Sequence, residues 1–207
     1  MRPAVFLDRD GVLNRLVPCE PQSLLAAPRA ATDFVFLPDV RLAVDRLRRS
    51  NFLIVVVTNQ PEIARGRLAP NELERMHHIL RVHVSVDAIY TCPHDDADGC
   101  DCRKPLPGLL HRAARDWSIA LADSFFVGDS WRDIAAGRAA GCRTILLAPA
   151  NNARNLPEAD YLFPHLPAAA VAIGNGLRRH SVHSTDHEAT YQRSLRLPCR
   201  GEPGSRS

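Results

Sequence analysis

Lysine is nearly absent from this 207-residue chain: of its 26 basic side chains, Lys104 is the one lysine and the rest are arginine. A compact ammonium on a flexible stem does not replace a planar guanidinium fork at a tight site, so that single exception marks position 104. Long apolar runs are missing too. No segment approaches the roughly 20 apolar residues that span a bilayer, which argues against membrane helices. The opening run Met1-Arg2-Pro3-Ala4-Val5-Phe6-Leu7 meets an acid at Asp8, too early for a signal peptide, so a cytoplasmic location is expected. No internal repeat occurs, and a net charge of one sign is absent from most of the chain. The formal +3 belongs to residues 175–207, which hold six Arg against Asp186, Glu188 and Glu202, and residues 1–174 are left with 20 basic and 20 acidic side chains. A neutral body argues against a nucleic-acid partner.

What is present is a soluble globular composition, 45% apolar and 24% charged, enough for one buried domain over residues 1–174. Short apolar runs alternate with helical periodicity. Strands are expected at 4–7, 52–57, 87–91, 124–127 and 143–147, with a short one near Tyr161. Helices are expected over 39–49, 70–84, 107–117 and 134–140, and a last one before residue 174. Continuous β-branched runs such as Phe52–Val57 suit strands buried on both faces. Strand–helix–strand repetition implies an α/β fold: a Rossmann-like parallel sheet with helices on both faces. From Asn175 the apolar periodicity ends, and residues 175–207 read as a disordered basic tail.

Four polar segments fall at strand ends, where open α/β sheets bind ligands. Asp8-Arg9-Asp10-Gly11 follows the first strand, Thr58-Asn59 the second, Arg103-Lys104-Pro105 the loop after the third, and Gly128-Asp129 the fourth, with Asp133 four residues on. Singly these are turn acids, a helix cap and a solvated cation; together they collect carboxylates, a hydroxyl and an ammonium at one sheet edge. Separately, Cys92-Pro93-His94 and Cys100-Asp101-Cys102 form a C-x-H-x₅-C-x-C loop. Four such ligands in one short loop suit a closed tetrahedral structural Zn²⁺ rather than disulfides in a reducing compartment. Cys19, Cys142 and Cys199 need no metal. His77, His78, His83 and His111 read as surface or packing residues on helices.

Asp8-x-Asp10-Gly-x-Leu13, the strand-end Thr58, Lys104 and Gly128-Asp129-x-x-x-Asp133 resemble the haloacid dehalogenase-like phosphatases over about residues 4–150. That resemblance implies Asp8 as a nucleophile forming an aspartyl-phosphate and Asp10 as the acid–base residue. It implies Mg²⁺ held by Asp8, the Asp10 carbonyl and Asp129, with Asp133 supporting. Thr58, Asn59, Arg103 and Lys104 would bind phosphate. The zinc loop running into Cys102-Arg103-Lys104-Pro105, with Thr58-Asn59-Gln60 and Ile63-Ala64-Arg65-Gly66, resembles the subgroup of heptose-bisphosphate and histidinol-phosphate phosphatases. These have no large cap domain. A monomeric enzyme acting on a small phosphorylated metabolite, such as a sugar phosphate, is thereby implied.

The chain departs from that subgroup at Pro61-Glu62, at Ser130 and at Leu16-Val17-Pro18-Cys19. Glu62 adds negative charge where phosphate would bind, which would favour an amine-bearing substrate such as histidinol phosphate. A heptose-bisphosphate phosphatase-like enzyme is the first expectation; a histidinol-phosphate phosphatase, a zinc-stabilised binding module without catalysis and a DNA 3′-phosphatase are the other readings.

Overall fold

The computed structural model describes residues 1–19, 24–148 and 158–177. In chain order the elements are β1 (Ala4–Leu7), β2 (Val17–Cys19), β3 (Leu24–Ala26), α1 (Val40–Arg49), β4 (Leu53–Asn59), α2 (Pro70–His83) and β5 (Ala88–Cys92). They continue with α3 (Gly108–Trp117), β6 (Phe125–Gly128), α4 (Trp131–Ala139), β7 (Arg143–Leu147), β8 (Tyr161–Phe163) and α5 (Leu166–Gly174). Six strands form one sheet in the order β5-β4-β1-β6-β7-β8, and every neighbouring pair is parallel. Met1–Leu177 make one compact unit. The tail expected from residue 175 lies, beyond Leu177, outside the described residues.

The alternation along each strand assigns the two faces. Val5, Leu7, Ile54, Val56 and Val127 pack with α1, α2 and α5 through Val44, Leu47, Met76, Leu80, Ala169 and Ile173. Ala4, Phe6, Val55, Val57 and Phe126 face α3 and α4 through Leu110, Ala113 and Ala136. Phe6 meets Phe126 edge-on, with ring centroids 6.5 Å apart. Truncating such a fully buried ring to alanine costs about 3–5 kcal/mol. With both faces covered, the polar groups of the central strands gather at the C-terminal edge.

The segment between β1 and α1 differs from the expected loop. It carries the antiparallel pair β2–β3 and a 3₁₀ turn at Ala31–Asp33. Strands of three residues, one holding Pro18, are too short to show alternation in the sequence. The hairpin and the 3₁₀ turn are the structured parts of this segment among the described residues, too small to make a large cap.

Candidate active site

The carboxyl end of β1 turns sharply. Asn14 and Leu13 backbone amides donate to the Arg9 carbonyl at 3.1 and 2.8 Å, and Gly11 adopts φ +82°. Only glycine suits this position twice over: it takes the left-handed region readily, and a Cβ there would fall 1.8 Å from Asp129 Oδ2. The β1 turn and the end of β6 are therefore pressed together. Gly128 plays the same part for α4, since its Cβ would lie 2.1 Å from that of Asp133.

Lys104 is the hub. Its side chain is 3% exposed, and its Nζ lies 2.8 Å from Asp8 Oδ1 and 2.6 Å from Asp133 Oδ1. Nζ also donates to the Val57 carbonyl at 3.0 Å. Burial alone would lower its affinity for protons, but Asp133 and Asp8 outweigh that and hold it above the ordinary lysine range. Burial pushes the Asp8 carboxyl well up, against the pull of Lys104. Burial, then the charge of Asp133, raises Asp129 to about 7. Asp8 Oδ1 also accepts from the Arg9 amide at 2.7 Å, while Oδ2 has no protein donor among the described residues.

Asp10 is held apart from this group. Arg9, with no exposed surface, grips it through Nη2 at 2.9 and 3.0 Å and through Nε at 3.2 Å. Asn14 Nδ2 donates to Oδ1 at 2.9 Å, and Gln60 Nε2 to Oδ2 at 2.7 Å. Arg9, Asn14 and Gln60 were not singled out in the sequence. An arginine between two strand-end acids is the one signal that could have flagged Arg9.

The remaining candidates divide. Thr58 ends fully buried, its hydroxyl accepting from Gln60 at 2.9 Å. Asn59 clamps the Lys104 backbone, donating to its carbonyl at 3.0 Å and accepting from its amide at 3.1 Å. Its side chain therefore fixes Lys104 instead of facing the cleft. Arg103 turns to the zinc loop, with Nε 2.6 Å from Asp96 Oδ1 and Nη1 3.2 Å from the His94 carbonyl. Glu62, expected as a bare negative charge, is gripped by three arginines. Its Oε1 accepts from Arg65 and Arg67 at 2.9 and 2.8 Å, and its Oε2 from Arg67 and Arg29 at 2.7 and 2.8 Å.

Two clusters have the chemistry of metal sites. Ligand atoms of Asp8, Asp129 and Asp133 lie within 4.8 Å of one another. In formal charges, the four acids Asp8, Asp10, Asp129 and Asp133 exceed the two cations Arg9 and Lys104 by two. All-carboxylate oxygen donors suit Mg²⁺. In the second cluster a tetrahedral ion with bonds of about 2.3 Å to sulfur and 2.0–2.1 Å to nitrogen would set S–S separations near ~3.8 Å and S–N near ~3.5 Å. Cys92 Sγ lies 3.7 Å from Cys100 Sγ and 3.6 Å from His94 Nδ1, and Cys102 Sγ lies 3.5 Å from Cys100 Sγ and 3.3 Å from His94 Nδ1. These spacings fit zinc, and all four of Cys92, Cys100, Cys102 and Cys142 are free thiols. His77, placed by the sequence among surface or packing residues, is buried in α2.

The chain is similar to known proteins over most of its length. A family model described as HAD-hydrolase-like matches residues 101–172. D-glycero-beta-D-manno-heptose-1,7-bisphosphate 7-phosphatase of Pseudomonas aeruginosa is 35% identical over 181 residues, covering 83% of this chain and 98% of that protein. The Bordetella bronchiseptica protein of that description is 37% identical over 179 residues, covering 82% and 96%. A crystal structure of D,D-heptose 1,7-bisphosphate phosphatase from B. bronchiseptica, complexed with magnesium and phosphate, superposes with a TM-score of 0.70 at 35% identity. It covers 83% of this chain and 97% of that one.

Proposed function

The chain belongs to the haloacid dehalogenase-like phosphatases, and from that premise we propose that it hydrolyses a sugar phosphate monoester, D-glycero-D-manno-heptose 1,7-bisphosphate at its 7-phosphate being the favoured substrate. The observation that carries the reading is the buried cluster of Asp8, Lys104, Asp133 and Asp129, with Asp10 locked beside it.

Asp8 is the nucleophile, its carboxylate steadied by Lys104 and the Arg9 amide at Oδ1. The P–O bond to the leaving group breaks as the Asp8–phosphorus bond forms. Asp10 gives its proton to the departing alkoxide, then takes one from the water that cleaves the aspartyl-phosphate. Lys104 balances charge on the phosphoryl oxygens, and Asp133 keeps its ammonium in place. Thr58, at the end of β4, is the hydroxyl donor to the phosphoryl group. Asp8, Asp129 and the Asp10 carbonyl would hold Mg²⁺, which when bound supplies Lewis-acid charge for bringing a phosphate to a carboxylate. Cys92, His94, Cys100 and Cys102 would hold a structural Zn²⁺. It would set the loop that delivers Arg103 and Lys104, and the free thiols suit a reducing cytoplasm.

Glu62 bears on the substrate. Histidinol phosphate gains from a free carboxylate that greets its amine, but here both carboxylate oxygens are taken by Arg29, Arg65 and Arg67. That removes the reason for preferring an amine and leaves three guanidiniums against two acids, Glu62 and Asp95, a net positive environment kinder to a second phosphate. The test is a substrate panel with the Mg²⁺-supplied protein: aryl phosphate, sugar mono- and bisphosphates, and histidinol phosphate. The highest kcat/KM on heptose bisphosphate supports the proposal. Superior turnover of histidinol phosphate moves the assignment to that substrate, and no turnover of any ester leaves a zinc-stabilised binding module.

A further inference from the structure

Among the described residues, three side chains hold the Asp10 carboxylate. Arg9 is its chain neighbour and Asn14 lies four residues on, so both belong to the same turn. Gln60 lies fifty residues away, just past β4, and is 1% exposed. Its amide nitrogen faces the Asp10 carboxyl. Nε2 reaches Asp10 Oδ2 at 2.7 Å and Thr58 Oγ1 at 2.9 Å, using both hydrogens. Thr58 is itself fixed in β4, which pairs with β1 on one side and, through Thr58 and Thr91, with β5 on the other. The Gln60 backbone amide donates to the Cys92 carbonyl at 2.7 Å. One buried amide thus spans from the turn after β1 to the rigid end of β4.

We propose that Gln60 is a positioning residue, a strut that fixes the Asp10 carboxyl against the end of β4 and so governs proton delivery to the leaving group. The inference rests on the reading of Asp10 as the leaving-group acid. A proton delivered in the transition state is worth about 10²–10⁴ in rate, and it matters most for a poor leaving group. A nitrophenolate departs with little help, whereas a sugar alkoxide does not. Loss of the strut therefore falls selectively on esters of weakly acidic alcohols. A general loosening of the fold would slow all esters alike.

The experiment measures kcat/KM, which reports steps through aspartyl-phosphate formation, across 4-nitrophenyl phosphate, phenyl phosphate and an alkyl phosphate. Gln60→Met keeps the length of the side chain and removes both donors. Gln60→Asn keeps an amide too short to reach both partners, and it carries the test if the methionine variant does not fold. The expected result is a loss of about tenfold or more at the alkyl end and a distinctly smaller one at the nitrophenyl end, steepening the dependence on leaving-group pKa. Asp10→Asn should steepen it in the same direction, and adding Gln60→Met to Asp10→Asn should cost little more, because both act through one carboxyl. A parallel loss along the series, or no loss at the alkyl end, overturns the strut while leaving Asp10 its role. If Asp10→Asn itself shows no leaving-group dependence, the acid–base reading falls, and the strut with it.

Discussion

Replacing Lys104 with methionine should unfold the metal-free protein more easily and make magnesium matter more to its stability. The ammonium is buried and bonded to Asp8, Asp133 and the Val57 carbonyl at 2.8, 2.6 and 3.0 Å. Methionine fills most of the stem's volume, so packing changes little; what is lost is the only cation between the two carboxylates among the described residues. Removing one partner of a buried ion pair costs about 3–5 kcal/mol. At about 2–4 °C per kcal/mol for a unit of this size, the melting temperature without metal should fall by about 6–20 °C. Mg²⁺ at a hundredfold excess over its Kd stabilises a folded site by about 2.7 kcal/mol. Its increment should be larger in Lys104→Met, where the acids lack their own cation. Paired melting curves with and without Mg²⁺ provide the assay, and Arg103→Met is the comparison. The Arg103 partner Asp96 is 70% exposed, so breaking that pair should cost far less than breaking the buried Lys104 hub. A metal-free shift in Lys104→Met no larger than in Arg103→Met, or a magnesium increment no larger than in the parent, would refute the buried-hub argument.

Three other outcomes follow from the geometry. Gly11→Ala, whose Cβ would meet Asp129 Oδ2 at 1.8 Å, should weaken Mg²⁺ binding by calorimetry beyond what its backbone cost of about 1–3 kcal/mol explains; unchanged affinity would contradict the cradle. Zinc removal or Cys100→Ser should speed amide exchange over residues 92–104 and raise KM, while unaltered exchange in verified zinc-free protein would count against a structural ion. Burial, then the Arg9 charge, holds His77 down to about 4 from its ordinary 6.5. The unfolded chain then binds the proton first, so stability should fall as pH drops from 6.5 towards 4. The difference amounts to about 3 kcal/mol over the full window. Denaturant titrations should show His77→Gln spared that loss, and equal acid sensitivity in both would contradict it.

The sheet was legible because its strands are continuous apolar runs bounded by acids and helical periodicity, and Ala4–Leu7 and Arg143–Leu147 fall where those runs do. The zinc ligands were legible because their chemistry lies within one short loop. What spacing could not show is the direction of side chains whose partners are remote. Arg9 carries no role in the sequence pattern, yet it is buried over the Phe34 ring, 5.6 Å from its centroid, and bonded to Asp10. Glu62 reads as an unpaired charge because one of its partners, Arg29, lies over thirty residues away across the fold. Asn59 and Arg103 read as phosphate-binding residues, but Asn59 bonds the Lys104 backbone and Arg103 bonds Asp96. Gln60 carried no signal of its own, since its value comes from two acceptors that only the folded chain brings within 3 Å.

The most direct measurement is mass spectrometry of the phosphorylated protein. Asp10→Asn, slowed in clearing the aspartyl-phosphate, is mixed with Mg²⁺ and an aryl phosphate, quenched in acid and digested. The account predicts one added phosphoryl group on the peptide bearing Asp8, and none in Asp8→Asn treated alike. Phosphate release in the parent protein, with no such adduct on the Asp8 peptide or with undiminished turnover in a folded Asp8→Asn, would contradict it.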